Sequence, residues 1–369
     1  MVQMKVLMIT KVSSMMRLTA ISTAGIAFTL WIALGSAYAQ GTQGVLPPSA
    51  RSPHPSTQNP AVLVTLQKLK QWESELSNWG RWGSRDQRGT LNLITPRKTR
   101  AAAELVTEGV SVSLAHFVSE EEAIDSQTFA PTEHWMTNID PDTGEVLFAL
   151  DAISFSLHDG QLSHMDALCH YRTERGGEQL IFNGYPQNLD EHGCKDLAID
   201  RMGPGYVTRG ILVDMPLLRG LDWLEPSTPI YVSDLEDWEE FAGVTVGSGD
   251  VLLVRTGRWA KREQEGPWDY GGGGAGLHAS VLPWLSQRGV AVLVGDAVND
   301  VQPSGVEGMR RPIHQLTQVF IGLPLVDNGY LEDVAKEANQ RQRWEFMVSW
   351  QITSIPGGTA GPFNALATF

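Results

Sequence analysis

A histidine, a carboxylate and a second histidine fall within seven residues of Ser163-His164-Met165-Asp166-Ala167-Leu168-Cys169-His170. His164 and Asp166 are two residues apart, so on an extended strand both side chains emerge on one face and converge on a single cation. His170 follows four residues after Asp166, beyond the expected strand end. Imidazole and carboxylate together suit Zn or Mn, and a site with few protein ligands leaves positions open for water and substrate. His158 stands six residues before His164, and Ile153, Phe155, Leu157, Leu162 and Leu168 imply a buried setting. Buried histidines and aspartates need partners, and one shared cation supplies them together. Hydrogen-bonded core pairs or solvated turn residues are the alternative reading of so short a pattern.

Further motifs accompany this segment in order. They run from Asn78-Trp79-Gly80 and Arg81-Trp82-Gly83 through Asp86-Gln87-Arg88-Gly89, Asn92-Leu93-Ile94-Thr95-Pro96, Phe182-Asn183-Gly184, Thr208 to Asp214 and Gly249 to Gly257. Gly295-Asp296, Pro312-Ile313-His314-Gln315 and Gly357 to Asn364 follow. Over roughly residues 65 to 369 the chain resembles the cyclase family of metal-dependent hydrolases, which includes bacterial kynurenine formamidases and isatin hydrolases. The formamidase branch carries a histidine four residues before the central one; here Gly160 stands there, as in the larger-cyclase and isatin hydrolase branch. The resemblance implies that His164, Asp166 and Gln315 hold one Mn or Zn, with His170 and His314 facing the substrate. It also leads to an expected glutamate some thirteen residues after His314, where this chain has Asp327, shorter by one methylene.

A divalent cation acidifies water and polarises a carbonyl, enough to hydrolyse an amide or lactam at ordinary pH. His170 then serves as general base, since an imidazole pKa of about 6.5 lies close to the working pH. His314 donates to the oxyanion or the leaving nitrogen. The expected activity is hydrolysis of a C–N bond in a cyclic or formylated amide, with lactone or ester hydrolysis as its nearest variant. A non-catalytic periplasmic small-molecule binder is the alternative class. The presence of His164, Asp166, His170 and His314 together favours the enzyme, because a binder needs no positioned base.

Composition points to export. Lys5, Lys11 and Arg17 precede an apolar run from Ile26 to Leu34, and Ala37-Tyr38-Ala39 has the form of a signal peptidase site. Residues 1–39 therefore read as a signal peptide, 40–61 as a flexible linker rich in Pro, Ser, Gln and Gly, and 62–369 as the catalytic domain of a secreted or periplasmic protein. The apolar run is too short to span a bilayer, so no membrane association is expected after cleavage. The whole chain carries a net charge of −14; without residues 1–39, 25 basic residues face 42 acidic ones, or −17. That balance, without a basic stripe or a phosphate-binding loop, excludes nucleic acid as a partner. Gly271 to Gly274 reads as a surface turn or a lid loop, and Cys169 as a reduced core residue, although export permits one disulfide with Cys194.

The elements that position these groups alternate. Buried-strand runs at Ile211–Val213, Val251–Val254 and Val290–Val294 alternate with helical patterns such as Val281–Arg288, which predicts an α/β fold; Leu331–Gln342 reads as an amphipathic helix. The resemblance sharpens this to a swivelling β/β/α architecture and implies a homodimer or larger assembly. It also places Trp79, Trp82 and the Phe129 to Trp135 segment near the pocket or a subunit contact, suiting a planar or aromatic substrate. His134 is either a pocket residue or an exposed loop histidine beside Glu133.

Overall fold

The apolar runs become neighbouring strands of one sheet. A computed structural model describes residues 63–126, 132–140, 142–146 and 148–369; the stretches expected to be signal peptide and linker, and Phe129, lie outside these. Nine strands form the main sheet: β1 Ser111–Ser113, β2 His164–Asp166, β3 Gly205–Asp214, β4 Val251–Arg255, β5 Val292–Gly295, β6 Leu325–Asp327, β7 Glu345–Gln351, β8 Ala360–Pro362 and β9 Leu366–Thr368. Their order is β1-β9-β7-β3-β4-β5-β6-β2-β8. At its centre β3, β4, β5 and β6 run parallel, and antiparallel strands extend it on both sides. Buried on both faces, β4 and β5 explain their unbroken Val and Leu runs.

Close packing depends locally on small residues. A Cβ on Gly210 in β3 would stand 2.3 Å from Val348 and 2.8 Å from Phe346. The predicted helices appear as Leu282–Arg288 and Glu332–Arg341; the latter opens with Glu332 and Asp333 and closes with Arg341, complementing its dipole. Among the described residues no helix is long and apolar enough to cross a membrane.

Two expectations change. The glycine run is not a loop: Tyr270–Gly273 is a short helix with Tyr270 and Gly271 buried, capped by the Asp269 side chain, which accepts from the Gly272 N–H at 3.1 Å. Cys169 is not a free core thiol, because the structure pairs it with Cys194 in a disulfide at a Cα separation of 6.6 Å. Sequence spacing could not reveal this pairing; it arises because the short hairpin Leu189–Asp190 and Gly193–Cys194 folds back beside the segment after β2, where the Cys169 N–H donates to the Leu197 carbonyl.

For sheets with parallel strands, ligands gather beyond the carboxyl ends of those strands. Here those ends deliver Asp327 from β6, Asp296 and Asp300 after β5, and Arg258 after β4. Strand β2 docks antiparallel beside β6, pairing His164 with Asp327, while β8 covers its other edge, pairing Pro362 with His164 and Ala360 with Asp166.

The disulfide closes a loop across 25 residues of separation, so Cys194→Ser should lower stability by about 3 kcal/mol. Denaturant unfolding of both proteins measures this, and alkylation of the native chain should label no thiol until it is reduced.

Candidate active site

His164 and Asp166 alternate onto the same face of β2, and directly paired residues on adjacent antiparallel strands share a face, which adds Asp327 to them. The buried Asp166 carboxylate lies among four imidazoles. His158 Nδ1 is 3.4 Å and His164 Nε2 3.7 Å from its Oδ1, while His314 Nε2 is 3.8 Å and His170 Nε2 3.9 Å from its Oδ2. The His158 and His170 rings stack at 4.1 Å. The amide nitrogen of Gln318 donates to Asp166 Oδ2 at 2.7 Å, but Oδ1 is buried without a hydrogen bond, as is Gln318 Oε1.

These facts test whether a cation fits. His164 Nδ1 lies 2.8 Å from the Leu162 carbonyl and donates to it, so in the neutral ring Nε2 is a lone pair turned toward the unpartnered Asp166 Oδ1. Two acceptors facing each other in a buried site have no proton to share, and a divalent metal satisfies both. Atoms of His158, Asp166 and His170 also lie within 4.8 Å of one another, another grouping able to hold an ion. The donor set fits a divalent metal.

His170 and His314 are shifted in opposite directions. Burial, only partly offset by Asp166, lowers His170 to about 4, so it is neutral at physiological pH. Burial opposes charge on His314 too, yet Asp327, Tyr171 and a hydrogen bond to Asp300 together hold its pKa well above the usual imidazole value. His314 Nδ1 meets Asp300 Oδ2 at 2.5 Å and its Nε2 meets Asp327 Oδ2 at 3.2 Å. Asp300 also accepts the backbone N–H groups of Ile313 at 2.7 Å and His314 at 3.2 Å, so one carboxylate caps the short helix Pro312–Leu316 and orients its histidine. Burial pushes the Asp166 carboxyl upward, but His170, His158 and His164 outweigh it and hold it well below the usual carboxylate range. Asp327 is likewise held low, with His314 overcoming its burial.

A buried brace supports this arrangement. Asn328, in the left-handed region at φ 60°, makes all four bonds an amide can make. Its oxygen accepts from Arg258 at 2.6 Å and Tyr270 at 2.9 Å; its nitrogen donates to the Asp159 and Leu162 carbonyls at 3.0 and 3.2 Å. The Arg258 guanidinium also donates to the Gly160 carbonyl at 2.7 Å and to Asp125 at 3.2 Å. At Gly160 a Cβ would lie 1.9 Å from the Asp125 carbonyl oxygen, which explains why no side chain, histidine included, occupies this position.

The site residues singled out in the sequence fall into two groups. His158, His164, Asp166, His170, His314 and Asp327 gather around one cavity of about 560 Å³. Gln315 lines that cavity, but its amide nitrogen donates to the Arg172 carbonyl at 2.7 Å; Gln318, one helical turn later, is the amide that reaches Asp166. Trp82 packs at the edge of the core under the Arg81 guanidinium, outside the cavity lining, and His134 pairs with Asp151 at 2.7 Å on an exposed hairpin. Sequence reasoning missed Gln318, Asp300 and Asn328. The only signal for Gln318 was its position one turn beyond Gln315.

Residues 101–299 match the sequence model of the Cyclase family. Among solved structures, one described as a novel cyclase is 27% identical, with a TM-score of 0.70 over 80% of this chain and 99% of that one. Isatin hydrolase A from Ralstonia solanacearum is similar in fold, at 19% identity and a TM-score of 0.50 over 74% of this chain and 97% of that one. Isatin hydrolase A from Labrenzia aggregata, solved with benzyl benzoate, gives 16% and 0.50 over 72% and 94%. Comparison with curated proteins gives no match.

Gln318→Ala should weaken metal retention about ten-fold or more by freeing Asp166 Oδ2, whereas Gln315→Ala should not. Metal analysis of both variants after dialysis against a graded chelator series distinguishes them.

Proposed function

Because the chain belongs to the cyclase family, we propose that it is a metal-dependent hydrolase that opens the C–N bond of a cyclic or formylated amide. One observation carries the reading: around Asp166 the fold holds His170 and His314 at similar distances, with burial lowering the pKa of the first and Asp327, Tyr171 and Asp300 raising that of the second. An imidazole that can take a proton and an imidazolium that can give one are the pair that hydrolysis of an amide requires.

His164 and Asp166 would hold the ion, Mn or Zn, with Asp327 and His158 beside them to complete its ligands. When bound, the ion supplies acidification of water and polarisation of a carbonyl. His170 accepts the proton of the attacking water. His314, its Nδ1 fixed by Asp300, donates from Nε2 to the leaving nitrogen. Asp327, against that same Nε2 at 3.2 Å, stabilises the charged form until the proton leaves. The cavity excludes bulk water on its inner side, where Asp166, His164, His314 and Asp327 are buried.

We also propose that the protein is exported and pairs with a second copy. The Cys169–Cys194 disulfide supports an oxidising compartment. Exposed Trp135, Met136 and Ile153 on the hairpin of Glu133–Met136 and Asp151–Ser154 support self-association. Tyr171, Tyr270 and the stacked His158 and His170 in the cavity wall support a planar substrate.

Purified protein should contain a stoichiometric divalent ion and hydrolyse isatin or an N-formyl arylamine, with turnover lost on chelation and restored by Mn or Zn. Metal content without hydrolysis of any amide in such a panel would reject the reading. Since His170 works when neutral and His314 when protonated, kcat/KM should fall on the acid side near pH 4 and on the alkaline side well above 6.5. An acid limb at about 6.5, the ordinary imidazole value, would remove His170 as the base.

A further inference from the structure

Two arginines, Arg172 and Arg311, line the cavity that holds the histidine cluster. Among the described residues, most of the buried or half-buried arginines meet a carboxylate, as Arg209 does with Asp250 at 2.7 Å, Arg255 with Glu332 at 2.5 Å and Arg258 with Asp125 at 3.2 Å, whereas Arg343 meets the Thr107 hydroxyl at 3.0 Å. The two cavity arginines have no carboxylate within salt-bridge distance there. Arg172 is held by neutral oxygens instead, donating through Nη1 to Gln179 and Gln187, each at 2.9 Å. Its backbone carbonyl is held in turn by Gln315 at 2.7 Å. Neutral acceptors orient a guanidinium without cancelling its charge and leave its other donors available. Arg311, half-buried at the start of the helix that carries His314, faces the Tyr171 hydroxyl.

The charges inside the cavity point the same way. A divalent ion would balance Asp166 and Asp327, and Asp300 balances the His314 imidazolium. Among the described residues Arg172 has no carboxylate partner, and Arg311 feels Asp327 and Asp300 only from beyond salt-bridge distance, in a chain whose net charge of −14 repels anions at long range. A guanidinium fork matches a planar carboxylate in geometry as well as charge.

We propose that Arg172 and Arg311 form an anion-recognition subsite beside the reacting centre, so that the substrate is an amide carrying a carboxylate on its planar body. The amide part of this statement rests on the hydrolase reading; the anion subsite does not. Gln179 and Gln187 act as positioning residues for Arg172, and Gln315 finds its role here by fixing the backbone of Arg172.

Calorimetric titration of the metal-loaded protein with benzoate and with benzamide tests the subsite without turnover. Wild type should bind benzoate more tightly, and Arg172→Gln and Arg311→Gln should each reduce the benzoate-to-benzamide affinity ratio about ten-fold, roughly the effect of one half-exposed charged contact. Arg172→Lys and Arg311→Lys should recover part of that ratio, and near-ultraviolet circular dichroism checks that each variant folds. Arg172 is exposed, so its variants keep the test open even where Arg311 variants misfold. Equal affinity for the two ligands in wild type overturns the proposal. A benzoate preference that survives both substitutions overturns it too, because the metal would then hold the anion. Arginine-dependent benzoate binding without hydrolysis of N-formylanthranilate or its amide would remove the hydrolase reading and leave the subsite standing.

Discussion

A carboxylate buried among four imidazoles is stable only when its charge is met, and the architecture around Asp166 serves that condition. No imidazole stands close enough for a short hydrogen bond, and Gln318 satisfies only Oδ2. The remaining demand is for positive charge at Oδ1, in front of the lone pair of His164. Burial makes that demand strong, because an unpaired buried anion costs far more than one in water. The same burial drives His170 neutral, while Asp300 and Asp327 hold His314 protonated. One low-dielectric pocket thereby shifts two chemically identical side chains in opposite directions.

Holding such a cluster requires rigid surroundings. Strand β2 is short, but it is paired on both sides, with β6 delivering Asp327 and β8 closing the other edge. The chain entering β2 is tied down by Asn328, immediately after Asp327, through the Asp159 and Leu162 carbonyls. Arg258 joins Asn328, Gly160 and Asp125, and its guanidinium lies 3.6 Å from the Tyr270 ring centre and 4.1 Å from that of Trp259. This buried charge meets the Asp125 carboxylate directly, which distinguishes it from the two cavity arginines. Further along, Asp296 receives the Thr256, Gly257 and Arg258 N–H groups at 2.8, 2.8 and 3.2 Å, and so sets where the Arg258 helix begins. The Gly295-Asp296 motif, legible in the sequence as a family feature, is structural in effect.

The clustering of His164 with Asp166 was legible because two local rules apply. Alternation on a strand places His164 and Asp166 together, and apolar neighbours signal that they are buried. The α/β class was legible for the same kind of reason, since β4 and β5 are buried on both faces and their sequences are continuous apolar runs. Gln315 and Gln318 mark where local rules stop. They lie three residues apart in neighbouring turns, and whether each amide reaches Asp166 or the Arg172 carbonyl depends on how the whole element sits against β2. Trp82 and His134 follow the same logic: residue type suited each to a pocket, but their places in the fold lie outside the cavity lining.

By itself, then, the sequence determined the chemistry available here: an imidazole and carboxylate set spaced for a metal, a protein of net negative charge, and strands long and apolar enough for a buried α/β core. Tertiary structure decided which groups meet and in which proton state. It brought Asp300 and Asp327 to opposite sides of His314, joined Cys169 to Cys194, denied any side chain at Gly160, and left Arg172 and Arg311 lining the cavity with no carboxylate of the described residues at salt-bridge distance. The physical reason is range. Strand alternation and apolar patterning act between residues a few positions apart, whereas desolvation, charge pairing and close contact depend on distances in space that only the folded sheet sets.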